Sequence, residues 1–153
     1  MKSVIFILVV LFFLIAPVSG QLLSDATGFI NRLDVQTSGY AFEIKLTSNF
    51  DLTDYTFDKN EKQITLYFDS ALENNLAEII IPKDLLSGNF MFYLNDQEFS
   101  PRVESNEKIS FITLNFTGSG TNVVKIIGSE FLVGLDPILS NDILPLDSES
   151  LFN

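Results

Sequence analysis

The chain contains no cysteine, no histidine and no tryptophan. Without cysteine there is no disulfide, thiol nucleophile or thiolate ligand; without histidine there is no imidazole base for a Ser/His/Asp triad and no imidazole ligand. A blue-copper centre, which uses two histidines and a cysteine, is excluded on the same ground. Basic residues are scarce as well: 9 Lys+Arg stand against 20 Asp+Glu, a formal net charge of −11, and none follows Lys125. A polyanion gains nothing by releasing counterions around a surface that repels it, so the expectation is no nucleic-acid partner, and anionic lipid headgroups are repelled in the same way. Carboxylates are the titratable groups left in numbers, which leaves a glycosidase-type acid pair as the one hydrolytic mechanism compatible with the composition. Nothing in the sequence pairs two of them, and the expectation is a chain that is not an enzyme.

What is present begins with an apolar run, 4–16, behind the single basic Lys2 and ahead of Pro17-Val18-Ser19-Gly20. One positive charge, a short apolar core and small residues at 18 and 20 form the pattern that signal peptidase reads, and the run is short for a bilayer span. The expectation is a signal peptide over 1–20 with cleavage before Gln21, hence a secreted or cell-surface protein without a stable membrane span. The alternative is an uncleaved N-terminal segment that anchors the chain.

From Gly39 to Gly128 the hydrophobic period is two. Tyr40, Phe42, Ile44 and Leu46 alternate with Ala41, Glu43, Lys45 and Thr47, which gives a strand with one apolar face. The same pattern predicts strands over 29–36, 55–58, 63–68, 76–81, 90–94, 98–103, 109–116 and 123–127. Turn residues separate them, among them Lys59-Asn60-Glu61, Ser87-Gly88 and Gly118-Ser119-Gly120. Asn95-Asp96 reads as a two-residue hairpin because both residue types tolerate positive φ, and Asp84-Leu85-Leu86 as a single helical turn. Short strands about ten residues apart, with no long amphipathic helix between them, predict an all-β fold: an antiparallel β-sandwich, Ig-like or similar, of 8 or 9 strands over 21–131. A closed barrel remains the alternative. Phenylalanines 42, 57, 68, 90, 92, 99, 111 and 116 are assigned to the core, since aromatic residues at alternate strand positions usually fill it. Tyr40, Tyr55, Tyr67 and Tyr93 are assigned to surface contacts.

Residues 132–153 form an acidic tail in which Pro137 and Pro145 forbid a continuous helix. It covers a sheet edge, extends freely, or docks on a partner as an extended strand.

Leu76 to Ile81 leading into Pro82-Lys83-Asp84-Leu85-Leu86, the Asn95-Asp96 hairpin and the strand ending Ile126-Ile127-Gly128 resemble a β-sandwich domain of exported surface proteins from ammonia-oxidising archaea. The resemblance covers about two thirds of the chain after the leader and implies a cell-envelope or extracellular role with no catalytic residues. Many of those proteins end in a Pro-Glu-Phe-Gly sorting signal, a membrane span and a basic tail. This chain has Ser129-Glu130-Phe131-Leu132 at the corresponding place, followed by neither, which favours release or peripheral retention over anchoring.

Three groups of residues carry candidate chemistry. Asp51, Asp54, Asp58, Asn60 and Glu61 crowd a short window with the hard oxygen ligands that Ca²⁺ requires, although the next Asp/Asn and the Gly of a calcium loop are missing. Asn95, Asp96 and Glu98 make a second, weaker oxygen cluster. Asn115-Phe116-Thr117 is the only glycosylation sequon; Asn115 stands before a turn, where it faces solvent, yet shares a face with Phe111, which points to burial. Two classes of function follow: a structural or adhesion-type module that contacts protein, envelope matrix or a second copy of itself, and a secreted ligand- or calcium-binding protein.

Overall fold

The computed structural model describes residues 28–136; the expected leader and positions 137–153 of the expected tail lie outside them. Ten strands follow one another: β1 (Phe29–Thr37), β2 (Tyr40–Ser48), β3 (Asp51–Asp58), β4 (Gln63–Ser70), β5 (Asn74–Pro82), β6 (Leu86–Leu94), β7 (Gln97–Glu98), β8 (Arg102–Ser105), β9 (Ile109–Thr117) and β10 (Gly120–Phe131). They form two five-stranded sheets, β1-β2-β5-β9-β8 and β3-β4-β10-β6-β7, with every pair antiparallel. The fold is the expected all-β sandwich. No helix occurs among the described residues, and the expected helical turn at 84–86 is a tight turn in which the Leu85 amide donates to the Pro82 carbonyl at 3.0 Å.

The strand count rises from nine to ten because the strand expected over 98–103 is two. Proline at 101 has no N–H to give to a ladder, and the chain leaves the second sheet after Glu98 and joins the first at Arg102. Local turn chemistry is as expected elsewhere. Asn95 and Asp96 take φ of 50° and 65°, the doubly positive pair of a two-residue hairpin, and Ser38-Gly39 joins β1 to β2 with 51° and 84°. Gly128 precedes a bulge where β10 slips against β6, and a Cβ there would stand 2.6 Å from Leu86 Cγ.

Between the sheets lies one core. The first sheet contributes Leu33, Ile44, Leu46, Ile79, Ile81, Ile112 and Leu114, the second Ile64, Leu66, Phe68, Phe92, Val124 and Ile126. Phe68 anchors one end of it, stacked on Phe50 at 4.4 Å between centroids and tilted against Phe116 at 5.4 Å. Phe42, Phe57, Phe90 and Phe99 are partly buried against this cluster. Phe111 is not part of it. On β9 the buried positions are Ser110, Ile112, Leu114 and Phe116, so the intervening Phe111 lies half-buried on the outer face. Residues 111 and 116 are an odd number apart and cannot share a strand face. Residues 132–136, expected to begin the tail, fold against the sandwich: Leu132 is buried, its amide reaches the Leu85 carbonyl at 3.3 Å, and the Asp136 carbonyl accepts from the Tyr40 hydroxyl at 3.0 Å.

A polar network fixes the end of the sandwich that carries the β4–β5 and β9–β10 connections. Asn75 is 1% exposed; its amide nitrogen donates to the Gly118 carbonyl at 2.8 Å and its oxygen accepts from the Ser70 hydroxyl. The Asn122 amide donates to the Gly120 carbonyl at 3.0 Å, and the Asn95 amide donates to the Asn122 oxygen at 2.8 Å. Asn49 holds β2 to β5, donating its backbone N–H to the Leu76 carbonyl and accepting the Leu76 amide on its side-chain oxygen. The two buried amides, Asn75 and Asn122, are bonded through both nitrogen and oxygen, which favours one geometry because any other leaves a desolvated polar group unpaired.

Candidate functional site

The acidic window is drawn out along an edge and not gathered. Asp51 begins β3 and Asp58 ends it; at a rise of about 3.3 Å per residue the two stand roughly 20 Å apart. Asp51 faces Asp69 across the β3–β4 ladder. Asp54 accepts the Tyr55 amide at 2.8 Å, and Asp58 accepts the amides of Asn60 and Glu61 at 2.8 and 3.2 Å, which makes it the cap of the turn leaving β3. Among the described residues no group of three or more acidic side chains converges on a point that could hold a metal ion. The second cluster is likewise committed to the fold. Asn95 accepts the Val123 amide at 2.9 Å, Asp96 pairs with Lys125, and Glu98 lies exposed on β7 opposite Tyr93.

Two ion pairs carry the resolved electrostatic shifts. The Arg32 guanidinium is held above its usual value by its hydrogen bond to Glu43 at 2.7 Å and by that carboxylate's charge. Lys125 is raised by its hydrogen bond to Asp96, then by the Asp96 charge. Both are surface arrangements.

The two lateral sides of the sandwich differ in how their edge strands are covered. On the first side the edge strands β1 and β3 belong to different sheets. The Tyr55 hydroxyl on β3 accepts the Asp34 amide at 3.0 Å and donates to the Asp34 carbonyl at 3.1 Å. One phenol thus occupies both outward-facing backbone groups at the middle of β1 and latches the sheets together.

On the second side the chain from β7 to β8 crosses diagonally between the sheets. β7 covers only Tyr93 and Leu94 of β6, with one further bond from the Phe99 amide to the Phe92 carbonyl at 3.1 Å. β8 covers β9 only from Ser110 to Thr113. Among the described residues two half-edges therefore have no strand partner, residues 86–91 of β6 and 114–117 of β9. Their surroundings are unlike. Beside the β6 half-edge lies a notch of about 220 Å³ lined by the apolar side chains of Phe90, Met91, Phe92, Phe99, Pro101 and Val103 together with Glu98 and Ser100. Met91 is 50% and Val103 39% exposed. Phe92 stacks with Phe90 at 5.9 Å and meets Phe99 edge-on at 6.1 Å, so the three rings behind the notch pack on one another. The β9 half-edge bears Asn115 and Thr117, both exposed.

Sequence periodicity reports none of these lateral features directly. The one local signal was Ser100-Pro101 inside an apparent strand, which marks a break and so a place where a ladder stops short. No protein-family model, curated protein or solved structure matches the chain.

Proposed function

We propose that this chain is a non-catalytic structural or adhesion-type module of the cell envelope or extracellular space, exported by its leader, that takes an extended segment of a partner polypeptide on the open half-edge of β6. The observation that carries the reading is the pairing of free backbone groups with the notch. An open edge offers N–H and C=O groups in register for an added strand, and pockets beside it select alternate side chains of that strand. Notch residues Met91 and Val103, both large, apolar and more than a third exposed, lack any neighbour that covers them within the described residues. The pattern of a leader at 1–20 and the likeness to exported archaeal surface domains support an envelope or extracellular setting for that contact.

The test combines location with a surface substitution. Native cells are separated into medium, envelope, membrane and cytoplasmic fractions for the wild type and for a Met91→Lys/Val103→Lys variant. The wild type is expected in the envelope fraction with an N-terminus at Gln21. The variant is expected to fold, because both side chains are solvent-exposed, and to shift into the medium. Equal retention of the two proteins would remove the β6 notch from the contact, and recovery of Met1 in the cytoplasm would remove the exported role.

A further inference from the structure

We propose that Asn115 is an N-glycan attachment site and that the glycan covers the open half-edge of β9. The inference rests on the exported setting proposed above and adds a modification which that reading does not require. Three observations carry it.

First, the alternation of β9 places the two side chains that a glycosyl transfer reads on the same accessible face. Asn115 and Thr117 are exposed, while the intervening Phe116 is buried against Phe50 and Phe68. Second, the Asn115 amide does no structural work. The side-chain amides of Asn49, Asn75, Asn95 and Asn122 are all engaged in holding this end of the sandwich, whereas that of Asn115 has no hydrogen-bond partner among the described residues. Third, there is lateral room. Leu76 pairs with Asn115 across the β5–β9 ladder, yet both backbone groups of Leu76 bond to Asn49 on the opposite side. In an antiparallel ladder this makes Leu76 and Asn115 a non-hydrogen-bonded pair, so the N–H and C=O of Asn115 point away from β5. They point to the side where β8 ends at its Arg102–Thr113 pair, and no described residue pairs with them there.

The chemistry is a group transfer. The Asn115 Nδ2 forms a bond to the anomeric carbon of a polyprenyl-phosphate-linked oligosaccharide, the bond from that carbon to the phosphate oxygen breaks, the lipid phosphate departs with the electron pair, and the amide nitrogen gives up one proton. A sugar chain held there stands over the backbone groups of Asn115 and Thr117 and denies them to a second strand, a shielding role open edges otherwise meet with charge, proline or a covering loop. Of the two half-edges on this side, the glycan closes the polar one and leaves the β6 notch for a partner.

The experiment is peptide mass mapping of the protein purified from the cells that make it, alongside Thr117→Ala and Thr117→Ser variants produced in the same cells. The exported wild type is expected to carry hexose-type mass increments on the Asn115 peptide. Thr117→Ala removes the hydroxyl of the sequon and is expected to abolish the increment; Thr117→Ser restores it. Thr117 is exposed, so both variants keep the wild-type melting transition. Bare Asn115 in protein that begins at Gln21 overturns the proposal while leaving export intact. Bare Asn115 in protein that retains Met1 overturns it together with export, and an increment that persists in Thr117→Ala overturns the assignment to this sequon.

Discussion

Replacing Tyr55 by phenylalanine isolates the latch between the two sheets. The substitution keeps the ring that packs against the core and deletes one oxygen. That oxygen makes two hydrogen bonds, both to the backbone of Asp34, at 3.0 and 3.1 Å. A hydrogen bond in a folded protein is worth about 0.5–1.5 kcal/mol net, and an orphaned buried partner costs more. Asp34 is exposed, so water replaces the phenol at both groups and the lower end applies; the loss is about 1 kcal/mol in total. For a domain near 100 residues that lowers the melting temperature by about 4–8 °C. Amide hydrogen exchange supplies the sharper readout. The Asp34 N–H faces away from β2 and is bonded to Tyr55, whereas the neighbouring Leu33 and Val35 amides face β2 in the ladder. In Tyr55→Phe the Asp34 amide should therefore exchange far faster while Leu33 and Val35 stay protected. An Asp34 amide equally protected in both proteins, with an unchanged melting temperature, would refute the latch.

Adjacent positions on β9 test the face assignment: Ile112→Asp buries an unpaired charge that costs several kcal/mol against a total stability of about 5–15 and should unfold the domain, while Phe111→Asp, on the outer face, should cost about 1–2 kcal/mol and leave the β-type circular dichroism spectrum intact. Asn75→Ala removes the amide that binds the Gly118 carbonyl and the Ser70 hydroxyl in a buried network, and chemical denaturation should show a loss of about 2–3 kcal/mol. Asp58→Ala should lose about 1 kcal/mol through its two turn amides, and by calorimetry that loss should be the same with and without millimolar calcium. Because Asp96 raises the Lys125 pKa in the folded chain, the pair's contribution is fully present below the ordinary lysine value and is lost as pH rises through the raised one; Lys125→Met should therefore flatten the melting-temperature profile only in that alkaline range.

Much of the architecture was legible in the chain because it is local. A period of two over Tyr40–Ser48 needs only the pleat to sort Ile44 and Leu46 inward and Glu43 outward. The Asn95-Asp96 hairpin needs only two residues that accept positive φ, and the structure gives them 50° and 65°. The absence of cysteine and histidine settled which chemistries were closed before any contact was known. Periodicity also carries its own limit, visible on β9. Ile109 and Phe111 line one face and Ile112, Leu114 and Phe116 the other, so both faces read as apolar and the pattern alone does not say which one meets the opposite sheet.

What decided the candidate site was pairing between residues far apart in the chain. β2 lies between β1 and β5, and β10 between β4 and β6; such neighbours are chosen by how two sheets close over one core, a property of no single segment. The open half-edges follow from where β7 and β8 end against β6 and β9, and the closed side from a phenol on β3 reaching Asp34 on β1, 21 residues away. Asn115 shows the division most simply. Its sequon and its place on a strand belong to the sequence, but its exposure and idle amide are set by which face of β9 meets the other sheet, and its backbone lacks a strand partner among the described residues because the β8 pairing ends at Arg102, opposite Thr113. The covalent chain determines which way a side chain alternates; only the assembled sheets determine which backbone groups are left without a partner.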